Sequence, residues 1–357
     1  MTTPSARNKG ASRYFHGSAF WFVRNDALQA ADFFTNKLGG TKNVLRRNQY
    51  GGTVGGPIRK DRSFFFYSWE GLQQTNPSPT TAVVPTQAQR DAVVDPIARD
   101  LLQFFPLPTD PSKPAGSQNY VGNLPQSSDD NTHFVRIDHT ISNKDRLMGR
   151  YIWFGGNTVA AVTLPNNSTM NAPGSQNVAL TETHTFSART FVETRLGYSR
   201  NKTDFKPQDY AFNAATVFPG VPGVVDATKN PQDGGLPRVV ITGGYANLGG
   251  ATNLPQGRIT NTYELFFNAT QVAPFNFTRH TIKYGYNIRR EETRRFLDGN
   301  SRGSITFADW DHFAGTCSDC NGQSLVLNST IRTGDTLSHW YRYAHATECQ
   351  NSSLQDR

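Results

Sequence analysis

The sequence predicts an all-β fold, a transmembrane antiparallel β-barrel with long extracellular loops and one short loop helix. Three observations predict it. Apolar and polar side chains alternate with a period of two along most of the 357 residues. Aromatic residues are plentiful, and 31 glycines and 20 prolines punctuate the chain, a mix that suits strands and turns rather than helices. The connections between alternating segments are either a few residues or very long. A barrel strand needs about 9–11 residues to cross a bilayer, whereas a membrane helix needs roughly 18 apolar ones in a row. The densest apolar run is only Ala19-Phe20-Trp21-Phe22-Val23. The polar mean hydropathy is compatible with a barrel, because only every second strand residue meets lipid.

Taken in order, residues 14–24 read as a strand ending at Asn25-Asp26, and 46–58 as a glycine-rich strand. The turn Arg59-Lys60-Asp61-Arg62 leads into 63–72, rich in Phe, Tyr and Trp. A long connection over 73–131 holds the short helix. Asp95 is its N-cap, Pro96 its first residue, 97–105 its body and Pro106 its stop. Residues 133–153 then form a hairpin. Val135, Ile137 and Ile141 oppose Arg136, Asp138 and Thr140; after Ser142-Asn143-Lys144-Asp145, Leu147, Gly149, Tyr151 and Trp153 oppose Arg146, Met148 and Arg150. A polar loop over 155–176 precedes the strands 178–186 and 191–205, joined by Ser187-Ala188-Arg189-Thr190. A second long loop covers 206–261, followed by strands 263–273 and 280–289. Short turns on one side and long loops on the other are the asymmetry of outer-membrane barrels. Trp21, Trp69, Trp153 and Tyr198, near strand ends, suit interfacial girdles.

The net charge of +8 lies within residues 1–62, where eleven Lys/Arg face three Asp. These charges interleave with strand-like residues and match no nucleic-acid module, so a solvated rim or lumen lining is the reading and no nucleic-acid partner is expected. The lumen-facing set is Arg136, Asp138, Arg150, Glu193, Arg195, Lys283 and Arg289, with a structural role and opposite charges pairing across neighbouring strands.

Several motifs invite chemistry and fail on context. Gly299-Asn300-Ser301-Arg302-Gly303 fits G-x-S-x-G, but a strand-like run follows where a hydrolase needs a helix. Gly51-Gly52-Thr53-Val54-Gly55-Gly56 lacks the Gly-Lys-Ser/Thr of a phosphate cradle, and close backbone packing explains it better. Cys317-Ser318-Asp319-Cys320 has metal-ligand spacing, yet its only further candidates, His345 and Cys349, lie in the tail. Asp309 and Asp311 lack the full calcium-loop pattern. No catalytic, metal or cofactor site is expected, and no enzyme activity.

Other residues carry a family resemblance. His16-Gly17-Ser18-Ala19-Phe20, Arg24-Asn25-Asp26-Ala27-Leu28 and Phe33-Phe34 resemble the start of the barrel in TonB-dependent transporters of the Oar-like type. Asn48-Gln49-Tyr50-Gly51-Gly52-Thr53-Val54-Gly55-Gly56-Pro57-Ile58 and Phe64-Phe65-Phe66 through Glu70-Gly71-Leu72 continue it. Val84-Pro85-Thr86, Asp95-Pro96-Ile97-Ala98 and Phe105-Pro106-Leu107-Pro108 are similar to that family's first long loop. Arg136-Ile137-Asp138-His139, Gly234-Gly235-Leu236-Pro237, Ile241-Thr242-Gly243-Gly244-Tyr245 and His280-Thr281-Ile282-Lys283-Tyr284-Gly285 extend the likeness.

The resemblance implies a cell-outer-membrane location, an unknown ligand, lipid around the barrel and an energising periplasmic TonB-type partner. A family barrel has about 22 strands behind a plug domain. About ten are legible here, without plug, coupling box or signal peptide, so the chain is expected to be a partial barrel, a fragment. Residues 1–12 are then a remnant of the plug–barrel junction, 13–341 the partial barrel and 342–357 a non-matching tail. The rival reading is a secreted, soluble β-sandwich or propeller that binds carbohydrate. It would bury the apolar faces against a second sheet.

Overall fold

The computed structural model describes residues 14–316, apart from 32, 34–36, 38–41, 43, 166, 218–226, 229–233, 276–277 and 298. Cys317, Cys320, His345 and Cys349 lie outside the described residues.

One antiparallel sheet dominates. Its strands are β1 (His16–Asn25), β2 (Arg46–Arg59), β3 (Ser63–Thr75), β6 (Gln126–Thr140), β7 (Asp145–Ala161), β8 (Ser168–Asn171), β9 (Gly174–Ser187), β10 (Thr190–Pro207), β12 (Gln256–Phe275) and β13 (Thr278–Leu297). They run in the order β1-β2-β3-β6-β7-β8-β10-β12-β13, with β9 also between β7 and β10. β8 and β9 share one strand position, broken at Ala172-Pro173. There the Ala172 amide donates to the Asp204 carbonyl and Gly156 to that of Pro173, so the ladder continues past the proline's missing N–H. Among the described residues the outer edges of β1 and β13 pair with no other strand.

The turns between β2 and β3, β6 and β7, and β9 and β10 gather at one end. All the long connections leave from the other. Asp61 takes φ 60° in the first turn, a conformation Asp tolerates. In the second, Ser142 Oγ accepts from the amides of Lys144 and Asp145. The glycine-rich strand is tight, as expected: a Cβ on Gly51 would sit 2.3 Å from the Trp69 carbonyl oxygen, and one on Gly71 2.4 Å from the Tyr50 ring.

The strands overshoot their predicted ends. β13, expected over 280–289, continues as Arg290, Glu292 and Arg294 on the face that is apolar lower down, and β12, expected from 263, already starts at Gln256. Alternation fades where that face turns polar, but backbone pairing does not.

The long connections are not plain loops. The one after β3 contains β4 (Ser78–Ala82) paired with β5 (Tyr120–Leu124), and two helices, α1 (Gln87–Asp91) and α2 (Pro96–Leu102). α2 is the predicted helix: Asp95 Oδ1 accepts from the Ala98 amide at 2.8 Å. It ends earlier than its expected stop, at Leu102. The connection after β10 supplies β11 (Arg238–Ile241), which pairs in parallel with β14 (Ser304–Phe307) from beyond β13; α3 (Trp310–Ala314) follows. Together they enclose the molecule's hydrophobic core, including Val84, Leu101, Phe105, Leu164, Leu236, Val239, Ile241, Leu248, Ile305 and Phe313. We call this unit the cap.

Polar groups hold the cap together from within. The Arg90 guanidinium donates to the carbonyls of Pro85, Leu102, Phe105 and Pro106 at 2.8–3.2 Å, satisfying acceptors left open at the end of α2. The buried Asn119 amide exchanges bonds with the Val84 backbone at 2.9 and 2.8 Å. Arg302, 4% exposed, lies 3.6 Å from Asp209 and donates to the carbonyls of Leu236 and Ala251.

Candidate functional site

The candidate site is the sheet itself, a surface with two different faces. Register carries one row of side chains across eight strands: Gly17, Val54, Tyr67, Val135, Tyr151, Val178, Tyr198 and Tyr263. Two residues nearer the short turns run Gly56, Phe65, Ile137, Gly149, Leu180, Leu196, Leu265 and Ile288. This apolar face is not covered. Leu196 is 52% exposed, Ile282 48% and Tyr284 54%, and among the described residues no second sheet packs on them. The sandwich reading requires such a covering sheet and is not favoured.

The apolar face ends toward the cap in an aromatic row. Tyr50 packs on Trp69 (centroids 5.4 Å apart), Trp69 on His133 (6.5 Å), His133 on Trp153 (5.4 Å) and Tyr198 on Tyr263 (5.2 Å). Trp21 joins this row opposite Tyr50, and three polar tips along it point the same way. Trp21 Nε1 donates to Asn48 Oδ1 at 3.4 Å, Trp69 Nε1 to Asn131 at 3.3 Å and the Tyr198 hydroxyl to Asn261 at 3.1 Å. Each asparagine sits one step nearer the cap. A ring on apolar ground with its N–H or O–H toward a wet layer is the arrangement that interfacial aromatics adopt. The girdle expectation for Trp21, Trp69, Trp153 and Tyr198 picked out this row. The accepting asparagines escaped it, because their place depends on strand register.

The opposite face carries all seven residues of the predicted charged set. Arg136 and Arg150 stand opposite each other, as do Glu264 and Arg289. Asp138, Glu193, Arg195 and Lys283 share that face with Phe66 and Phe134. Pairing across strands is not what forms among them, and this corrects the expectation. Arg136 grips Asp138 two residues along its own strand, with two bonds of 2.7 Å. Arg195 pairs with Glu193 at 2.9 Å, and Arg289 with Glu291 at 3.1 Å. For most of them the reason is who stands opposite: Arg136 meets Arg150, Arg195 meets Thr181 and Phe266, and Lys283 meets Thr270, while Glu264, opposite Arg289, accepts from Asn287 instead. Residues two apart on a strand share a face and are the nearest alternative.

The cap adds a cavity of about 290 Å³ lined by Phe104, Asn167, Asp209, Phe212, Leu236 and Leu248. A cleft of about 420 Å³ opens where Ala172-Pro173 interrupts the ladder, between Trp153, Asn131, Arg200 and Lys202. Burial pushes the Asp209 carboxyl above the ordinary carboxylate range, against the opposing pull of the Leu236 amide and Arg302. The tempting motifs resolve structurally. Ser301 lies in the turn that leads into β14, so a strand stands directly after it where a hydrolase needs a helix. Asp309 caps α3, accepting from the amide and ring of His312, and Asp311 accepts from Thr316.

An uncovered apolar face, an aromatic row at its margin and a charged reverse face define the wall of a membrane barrel. No described helix is long and apolar enough to cross a bilayer, so any crossing is made by strands. The family model of the outer membrane beta barrel domain matches residues 9–94 and 91–331, and the chain belongs to that family. It is therefore a barrel protein of the outer membrane. Among solved structures, the outer membrane transporter YddB from Escherichia coli is similar over 82% of this chain and 32% of that one, with TM-score 0.50 and 8% identity, a likeness of fold alone. The siderophore receptor PiuA from Acinetobacter baumannii aligns over 90% of this chain and 48% of its own, with TM-score 0.36 and 9% identity. The chain thus spans about a third of the first structure and about half of the second. No curated protein matches it.

Proposed function

We propose that the chain forms part of the barrel wall of a TonB-dependent outer-membrane transporter of the Oar-like type. The apolar face meets lipid, and the face bearing Arg136, Asp138, Arg150, Glu193, Arg195, Lys283 and Arg289 lines the lumen. The cap stands outside the cell, where it meets a ligand of unknown class. In a complete transporter a plug fills the lumen, and a periplasmic TonB-type partner drives its rearrangement; transport is a property of that whole, not of this chain alone. The observation that carries the reading is the uncovered apolar face ending in a wet-side aromatic row.

Single-cysteine labelling in intact cells tests it, in a background with the three native cysteines replaced by serine. Val121→Cys in the cap should react with an impermeant maleimide, and Asn143→Cys in a short turn only after the outer membrane is opened. The reverse pattern overturns the sidedness. An Oar-like plug domain supplied in trans should shield Arg195→Cys. A failure to shield removes the plugged-transporter reading and leaves the barrel standing.

A further inference from the structure

The apolar face has one chemical exception. Between the aromatic row and the short turns, the carboxylates on this face among the described strand residues are Asp145 and Glu182, and they come together. Asp145 of β7 stands opposite His184 of β9, while Glu182 lies two residues along β9 on the same face, opposite Leu147. One donor atom from each of the three falls within 4.8 Å of the other two. His184 Nδ1 is already 2.5 Å from Asp145 Oδ1. The Phe186 ring packs edge-on against the imidazole at 4.2 Å, which fixes its plane.

We propose that Asp145, Glu182 and His184 bind a divalent transition-metal ion. One imidazole and two carboxylates form a donor set suited to zinc and its neighbours and poor for magnesium, which prefers oxygen and water alone. Zinc bonds of about 2.0–2.2 Å place tetrahedral ligands roughly 3.5 Å apart. Rotation of the long Glu182 side chain closes the remaining gap while Asp145 and His184 stay on their strands. The ion takes the place of the hydrogen between His184 Nδ1 and Asp145 Oδ1, and the neutral imidazole carries its ring hydrogen on Nε2 instead. The ion also answers why two acids sit on a surface otherwise given to Leu180, Leu196 and Ile137. The site needs only the β7–β9 ladder and does not depend on which side of the membrane the cap occupies.

The test is calorimetry on the full chain folded in detergent, with sheet content checked by circular dichroism. Zinc chloride is titrated in a buffer that does not bind zinc. We expect about one site per chain and no competition from millimolar magnesium. Glu182→Gln should weaken zinc at least as much as the roughly 10–100-fold lost when an outer-sphere partner is removed. His184→Ala should abolish binding. Both side chains are partly exposed, and an unchanged dichroism spectrum confirms that each variant folds. No zinc heat, or equal affinity in all three chains, overturns the proposal. Loss of binding on replacing Cys317 and Cys320, with His184→Ala still binding, assigns the ion to those cysteines and also overturns it.

Discussion

Leu101 in the cap is 1% exposed, whereas Leu196 in the sheet is 52% exposed, although both occupy apolar positions of regular elements. The cap obeys the rule for water-soluble domains: its apolar side chains converge from four connections, and its buried Asn119 and Arg302 side chains bond to backbone groups. The sheet leaves a largely apolar surface uncovered and keeps most of its charges on the reverse, Asp145 and Glu182 apart. The two regions assume different solvents. Water closes the cap by the hydrophobic effect. Lipid removes the reason to close the sheet's outer face, since acyl chains are as apolar as leucine.

This contrast can be broken at defined points. Replacing Arg302 with Met strands Asp209 inside the cap and should destabilise the cap by about 3–5 kcal/mol. Loss of cap protection from protease at unchanged sheet dichroism would show it. On the sheet, Leu196→Arg should cost about 2–4 kcal/mol of folding free energy in vesicles, whereas Arg195→Leu on the other face should cost far less. Equal costs would mean that the two faces do not differ in solvent. Removing the indole donor with Trp69→Phe should cost only about 0.5–1.5 kcal/mol, the range for one hydrogen bond, and shift the tryptophan emission of the folded chain.

The smallest effect lies at α3. The His312 amide, and then its ring, hold the Asp309 carboxyl below the ordinary carboxylate range. A depressed folded value means the stabilisation is present above the unfolded pKa and fades as pH falls through the folded one. Cap stability should therefore drop slightly more on acidification than in Asp309→Asn. Parallel acid curves for the two proteins would remove this contribution.

The sheet was largely legible in the sequence because its signal is local. Ile282, Tyr284, Tyr286 and Ile288 announce a strand and a face by spacing alone, and Asp95-Pro96 announces a helix start. The cap was not legible. Val239 and Ile305 meet through a parallel ladder between segments far apart in the chain, and Tyr245 bridges back to Val83. Such pairings leave no periodicity in either partner. The charge pairs failed for a related reason, since which residue faces Arg136 depends on register, and register places another arginine there.

The two margins of the sheet, β1 and β13, have a last consequence. Inside hydrocarbon each unmet amide or carbonyl is penalised by several kcal/mol, so open ribbons do not persist there. A lipid-embedded wall of this kind must be sutured along both sides, by further staves or by a neighbour of its own kind. Left unsutured in water, the same margins are templates for stacking. Where this protein resides therefore decides whether its rims become seams or the start of a precipitate.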